Sequence, residues 1–536
     1  MLKILPLFAL ASSVTILLLV ARTPQALYSD PAWQLKALQQ YLAGEAKSFN
    51  NLAQPDPHDL SVNSSEWISW WPLGTNILVY PLLRARISMG LAVRCLAAFA
   101  LVAGSVGFGY WLSFFRLPRW MAITLAVGIP WIRYANLGLF SYAAEALVYG
   151  IAPWIVLGVL QLRNRWICEP TKASPLLATG VGLLLGSAYW LKYSAVFTSL
   201  GAIVYLLATA RTLRKRSGVT SDLVIVVSGF VALVAALNIL NRTMGAAMNS
   251  VTQAFSVHFD WQLPANVVGL FAMAMADADG LWRYVLFHPG HAWVAFSYTY
   301  LCLIGLPGGL VLLWLLFRSS EEETFRLARY IFLTSVGAFV LVMIVFGARA
   351  YEARYVSAIG IVLIPVVIQS ALQLWPQTSR LTRIVLILSG AFYIAVPTLY
   401  GATSVWGKVR RTPHYTSGPS HLYNPLLANN DAKTAVNNLL ADFRPDTDVW
   451  YLTEPVSAMD LPGRAILRHS DFLSVEQLKR DNFRTNAPIR VRLLLPPSFE
   501  QNGKGQIIRD SFPQAQRWKT ITVRDTNYVL WTAELK

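Results

Sequence analysis

The chain has 536 residues, 55% hydrophobic and only 14% charged, and its mean hydropathy of +0.45 excludes an ordinary water-soluble protein of this size. A net charge of +17 would suit nucleic acid, but the Lys and Arg sit in short clusters between apolar runs, as membrane topology requires, so no nucleic-acid partner is expected. Cys95, Cys168 and Cys302 show no CxxC or Cys/His spacing, which argues against a disulfide framework or a zinc cluster.

The first apolar run, Lys3 to Val20, begins with one positive charge and ends near ARTPQA, like a signal peptide. It exceeds the usual apolar core of roughly 7–15 residues and reads as an uncleaved first helix. Further runs at 89–113, 119–136, 142–162, 175–191, 194–210, 221–241, 291–317, 329–347, 355–374 and 384–401 each suit roughly 30 Å of hydrocarbon, giving about eleven spans. Alternate connections carry Arg116 and Arg119; Arg163, Arg165 and Lys172; Arg211, Arg214, Lys215 and Arg216; Arg318, Arg326 and Arg329; and Arg380 and Arg383. The positive-inside rule makes these cytoplasmic, and the N-terminus with them. The connections 23–88 and 242–290, the turns near 136–144 and 347–354, and everything after Gly401 then lie outside.

The outer connection 23–88 has internal structure. PAWQLKALQQYLAGE places Trp33, Leu35, Leu38 and Leu42 at helical spacing among polar residues, which predicts an interfacial helix on the membrane surface. The aromatic and proline-rich SSEWISWWPLGTNILVYPLL suits a second helix at headgroup level, or simply an aromatic belt. The expected division is a transmembrane domain over 1–401 and a soluble α/β domain over 402–536. In the latter, DVWYLTE, RAILRH, IRVRLLL, KTITV and YVLWTAEL are β-like, while DAKTAVNNLLADF and SVEQLKRDNF are helical in character. No GxGxxG, P-loop or nucleophile elbow interrupts them.

Several outer-face residues have chemical potential. Asp30, in YSDPAW, is either the N-cap of the surface helix or a functional acid whose partial burial would raise its pKa toward that of a general base. Glu145, in SYAAEALVYG, lies at the outer end of a span, where it gains from the helix dipole or serves function. Lys192, in AYWLKYSAV, is a cation in an outer hairpin, where topology disfavours one. Arg349, Glu352, Arg354 and Tyr355 sit in GARAYEARYVSAIG at another outer turn. The basic side chains of these turns suit a phosphate at the bilayer surface, or pair with the acids and lipid headgroups around them. Asp56, Glu66, Trp70, Trp71 and the histidines His58, His258, His288 and His291 are further outer-face groups whose spacing specifies no metal.

In its order of motifs the chain resembles the GT-C glycosyltransferases, in particular the protein O-mannosyltransferase and aminoarabinose-transferase branch. The matching segments are SDPAWQLKALQQYLAGE, WISWWPLGTNILVYPLL, Arg94 in GLAVRCLAAF, Glu145, LKYSA, and Arg354 with Tyr355 in EARYVSAIGIVLIP, over roughly residues 1–400. Asp30 is followed by Pro31 where some relatives carry a second acid, and the acid-Lys-Pro run of the aminoarabinose enzymes is missing near Glu66. The resemblance implies a mainly α, polytopic helix bundle in a bacterial plasma membrane, with its terminal α/β domain periplasmic or extracellular. It implies inverting transfer of a sugar from a polyprenyl-phosphate donor to a lipid, glycan or protein acceptor on the outer face. Asp30 would be the base and Glu145 a second acid orienting the acceptor or a divalent metal. Lys192, Arg349, Arg354 and Tyr355 would hold the donor phosphate, and Glu66, Trp70 and Trp71 would belong to the acceptor or surface loop.

Two other classes compete. A transporter or flippase of lipid-linked saccharides usually shows internal repeats and ionisable groups at mid-membrane, whereas these acids gather at one face. A membrane anchor for an exported binding domain does not need so many spans.

Overall fold

The computed structural model describes residues 4–69, 71–169, 173–213, 217–244, 263–275, 305–318, 322–346, 353–412, 418–427, 429–468, 474–524, 526 and 528–536. The chain begins with α1 (Leu5–Leu19), a two-residue strand β1 (Ala26–Leu27), α2 (Ser29–Leu42), a hairpin of β2 (Asn51–Asp56) and β3 (Asp59–Trp67), and α3 (Gly74–Arg84). There follow α4 (Met89–Leu112), α5 (Arg119–Gly128), α6 (Arg133–Phe140), the short β4 (Ser141–Tyr142), α7 (Glu145–Cys168), α8 (Pro175–Leu191), α9 (Val196–Leu213) and α10 (Ser217–Thr243). Then come α11 (Leu263–Ala274), α12 (Leu306–Arg318), α13 (Glu323–Phe346), α14 (Ser357–Leu374), α15 (Arg380–Gly390), α16 (Val396–Arg411) and α17 (Asn430–Leu440).

Among the described residues, eight helical stretches have the length and composition to cross a membrane, and three shorter helices, α1, α8 and α12, are also apolar. The expected total of about eleven is not fixed by this, since most of the run expected over 291–317 precedes α12 and lies outside the described residues. These helices are apolar on every side, as burial against both lipid and protein demands. Helices α4 and α7, and α8 and α10, pack along their lengths as parallel pairs, and α9 packs antiparallel to α13. Helices α15 and α16 run on through a π-helical turn as one span, Arg380–Arg411.

The five β-like runs of the C-terminal region become one sheet: β5 (Asp448–Leu452), β6 (Arg464–Leu467), β7 (Ile489–Leu495), β8 (Lys519–Val523) and β9 (Tyr528–Leu535), in the order β6-β5-β7-β9-β8. Strand β5 is parallel to both neighbours, and β9 is antiparallel to β7 and β8. A central strand buried on both faces reads as an unbroken apolar run, which is what VWYL supplies.

The connection 23–88 carries a helix in each of the two segments expected to hold one, α2 and α3, but between them residues 51–67 form an antiparallel hairpin that takes in the start of SSEWISWWPLGTNILVYPLL. Its strands are Ser-, Asn- and Pro-rich, with weak intrinsic β-preference, and they are held by bonds from far along the chain. Leu60 N donates to Arg484 O (2.8 Å) and Arg484 N to Pro57 O (2.9 Å). Helix α2 forms where its periodicity places it, but its polar side chains do not face water. Gln34, Lys36 and Gln40 are buried along with Trp33, Leu35 and Leu38. Trp33 and Ala37 pack into one cluster with Leu52 of the hairpin and with Trp450, Leu452 and Leu494 of the sheet. The connection 23–88 and the C-terminal sheet therefore share a core.

Lys36 is the polar pin of that contact. Its Nζ donates to Ala458 O (2.8 Å) and Gln39 Oε1 (3.1 Å). Burial lowers its pKa, with the charges of Glu45 and Asp460 pulling part of the way back. An unfolded chain, with Lys36 at its ordinary 10.5, takes up a proton that the folded chain has shed, so the folded state gains stability as pH rises toward that value. The apparent Tm in detergent is expected to rise on going from neutral to moderately alkaline pH, and the part due to Lys36 to vanish in Lys36→Met. An identical pH profile in the variant would show that Lys36 is not the group responsible.

Candidate functional site

Strands β1 and β4 pair in parallel, Ala26 opposite Ser141 and Leu27 opposite Tyr142. Tyr28 N continues the ladder by donating to Tyr142 O (3.2 Å). Counting three residues on from Leu27 and from Tyr142 arrives at Asp30 and Glu145, so the ladder sets the two acids in register as the chains depart into α2 and α7. Asp30 is not the helix cap. Tyr28 is the N-cap, without a side-chain capping bond, and Asp30 sits half-buried inside the first turn. Glu145 is the first residue of α7, where the positive end of the helix dipole favours an anion.

Glu145 is 2% exposed and Lys192 4%. Their side chains meet directly, Lys192 Nζ on Glu145 Oε1, and Arg354 Nε lies 3.8 Å from the same oxygen. The other oxygen, Oε2, is buried with no hydrogen-bond partner among the described residues. Lys192 reaches this position because α8 stops at Leu191 and Lys192 turns to extended backbone before the 3-10 turn Tyr193–Ala195. A cation at a helix C-terminus gains from the dipole as an anion does at an N-terminus. Arg354 comes from the turn Ala353–Val356 that leads into α14. The three charges line a small recess with Ser194, Thr198, Tyr355 and Ser357.

Aromatic rings enclose the cations. Lys192 Nζ is 5.0 Å from the centroid of Trp71 and 5.1 Å from that of Tyr355, and Arg354 Cζ is 5.3 Å from Tyr355. Trp71 is held by a polar network within the connection 23–88. Gln34 Nε2 donates to Trp71 O (3.0 Å) and Pro72 O (3.1 Å), and Asn76 Nδ2 donates to Gln34 O (3.0 Å) and Phe49 O (2.7 Å). On the other side, Tyr193 OH donates to Ser69 O (2.8 Å) and accepts from Asn241 Nδ2 (3.1 Å). Gly74 allows this close fit, since a Cβ there would stand 2.4 Å from Trp190 O.

The recess thus gathers Glu145, Lys192, Arg354 and Tyr355, with Trp71 against the lysine. Asp30 is tied to it through the ladder but is not among the lining residues. Glu66 stands apart on β3, exposed, accepting from Gln54 Nε2 (3.3 Å). Arg94 donates to Ala21 O (2.9 Å) at the end of α1. Trp70, Arg349, Glu352, His258, His288 and His291 lie outside the described residues. The supports Gln34, Asn76 and Tyr193 went unnoticed in the sequence. The available signal was Asn76, an amide inside the apolar run ILVY and its flanks.

A divalent metal does not suit this arrangement. No three His, Cys, Asp or Glu side chains gather at metal-binding distances among the described residues, and the carboxylate of Glu145 already faces two cations.

Neither a protein-family model nor a curated protein matches the sequence. Among solved structures the chain is similar to ArnT from Cupriavidus metallidurans in the apo state, at 10% identity and a TM-score of 0.49 over 98% of this chain and 97% of that one. It is likewise similar to ArnT from Cupriavidus metallidurans bound to undecaprenyl phosphate, at 10% identity and a TM-score of 0.47 over 98% and 97% of the two chains.

Replacing Lys192 by Met would leave Glu145 buried without its nearest cation, an expected loss of about 3–5 kcal/mol. The double variant Glu145→Gln with Lys192→Met should recover most of it. Denaturation in detergent micelles reads both; a single variant as stable as its parent would mean that the pair is not buried as described.

Proposed function

We propose that the chain is a GT-C-type membrane glycosyltransferase that moves a sugar from a polyprenyl-phosphate donor to a lipid, glycan or protein acceptor. The face carrying the sheet domain is the non-cytoplasmic one in this reading, in a bacterial plasma membrane, with the N-terminus cytoplasmic. The observation that carries the proposal is the enclosed Glu145–Lys192–Arg354 cluster, joined through a two-residue ladder to a second acid, Asp30, at the start of the helix that the outer domain grips.

In the proposed reaction an acceptor hydroxyl attacks the anomeric carbon from the side opposite the phosphate. The bond from that carbon to the phosphate oxygen breaks, and its electron pair leaves with the polyprenyl phosphate. Asp30 takes the hydroxyl proton, and inversion follows from the single displacement. Lys192 and Arg354 stand against the departing phosphate, whose negative charge grows as the bond opens, and fixed cations lower that barrier. Arg349 is assigned the same task. Glu145 holds both cations in place, and its second oxygen serves to orient the acceptor hydroxyl. Tyr355 and Trp71 shield the lysine from water, which strengthens each of these interactions.

The test is transfer from a panel of prenyl-phosphate sugars by purified protein, with product identified by mass spectrometry. Asp30→Asn is expected to cut kcat by roughly 10²–10⁴-fold while the chain stays folded. A folded Asp30→Asn variant that transfers at the parental rate removes Asp30 as the base. Wild-type protein that moves labelled lipid-linked saccharide across a proteoliposome without joining it to any acceptor is a flippase instead.

A further inference from the structure

Three stretches of the sequence, residues 1–29, 67–144 and 354–430, contain no Asp or Glu. The fold brings parts of all three together at one corner of the face that carries the sheet. There the end of α1 meets the start of α4 through Arg94 Nη1 on Ala21 O (2.9 Å). The same chain end meets the end of α16 where the hydroxyls of Thr23 and Thr412 lie 2.9 Å apart. Helix α16 also presses on the turn before α6, close enough that a Cβ on Gly401 would stand 2.2 Å from Trp131 O. Lys408 lies within electrostatic reach of Arg133, with its Nζ 4.5 Å from the centroid of Phe140. Arg22, Arg94, Arg133, Lys408, Arg410 and Arg411 thus share a corner built from acid-free chain. Asp460, which the sheet domain brings near through Ser420, is bonded by Ser420 N (2.9 Å) and Asn424 Nδ2 (3.2 Å).

Depth places this corner among headgroups. From Arg380 to Lys408 a continuous helix rises roughly 40 Å, more than the roughly 30 Å of hydrocarbon. Trp406, 55% exposed and stacked under Arg410 (5.8 Å), marks the interfacial level at which indole rings settle. Lys408, Arg410 and Arg411 end a span on the side where topology disfavours cations, and the densest anion at that depth is lipid phosphate.

We propose that this corner is a binding site for the phosphate of an anionic phospholipid in the leaflet on the sheet-bearing side, separate from the Glu145 recess. Arg410 and Arg411, both exposed, supply guanidinium forks that match phosphate oxygens, and Lys408, seated on Phe140, supplies a point charge beneath them.

Delipidated full-length protein in neutral detergent, titrated with phosphatidylglycerol or phosphatidylcholine and read by native mass spectrometry, tests this. Phosphatidylglycerol is expected to bind preferentially, and Lys408→Gln/Arg410→Gln/Arg411→Gln to weaken its binding by about a hundredfold. The control Lys433→Gln/Lys479→Gln/Lys519→Gln removes the same charge from exposed positions of the sheet domain and should retain the preference. Should the corner triple fail to fold, the exposed pair Arg410→Gln/Arg411→Gln replaces it, with an expected loss of roughly tenfold or more. Equal lipid binding by corner variant and parent, or an equal loss in the control, overturns the site. So does a melting shift with millimolar inorganic phosphate that cancels the lipid preference, since the ligand is then free phosphate.

Discussion

A carboxylate buried at the end of a membrane helix is the constraint around which the sheet-bearing face is arranged. Glu145 would be expensive to leave ionised in an apolar surround, and its charge is tolerable because Lys192 and Arg354 converge on it from two other turns. The anion begins α7 and the lysine ends α8, so each helix dipole adds to the attraction between them. This pins three connections, those before α7, between α8 and α9, and before α14, to one point, and the recess exists because they cannot separate without exposing charge.

The second organising feature is the short parallel ladder between β1 and β4. Two residues of sheet contribute little stability alone. Their use is positional, because they start α2 and α7 from a common register and fix Asp30 relative to Glu145. Helix α2 then runs between the hairpin and the sheet domain with its polar and apolar sides both covered. The C-terminal sheet is thereby coupled to the acid at the start of α2 through a packed helix rather than through a loop, and Lys36 and Gln39 bond the turn Pro455–Met459 to it.

Much of this was legible in the sequence, for physical reasons that differ by element. The apolar runs announce helices because lipid permits little else, and VWYL and the LLL of β7 announce buried strands because each is an unbroken apolar run. Lys192 stood out because a cation on that side opposes topology. That it would pair with Glu145 could not be read, since the two are 47 residues apart on different helices. The hairpin over 51–67 was hidden for the same kind of reason. Its own residues favour turns, and the bonds at Arg484 and Asn486 that hold it come from the far end of the chain. Asp30 followed by Pro looked like a cap, but the ladder carries the chain into helix two residues earlier, at Tyr28.

The recess and the acid-free corner lie on one face yet differ in how they would hold an anion. Among the described residues of the recess a carboxylate neutralises one of two cations, leaving a single positive charge in excess. That matches a phosphodiester, which carries one negative charge. In the proposed reaction the phosphate would become a monoester approaching two negative charges as the sugar departs, and cations already fixed by Glu145 would meet the added charge without rearranging. A site of that kind would favour the transition state over the bound donor, which is the condition for catalysis rather than tight binding. The segments that build the corner carry cations and no carboxylate of their own, so the anion proposed there would be held by charge already in place and would have no reaction to drive.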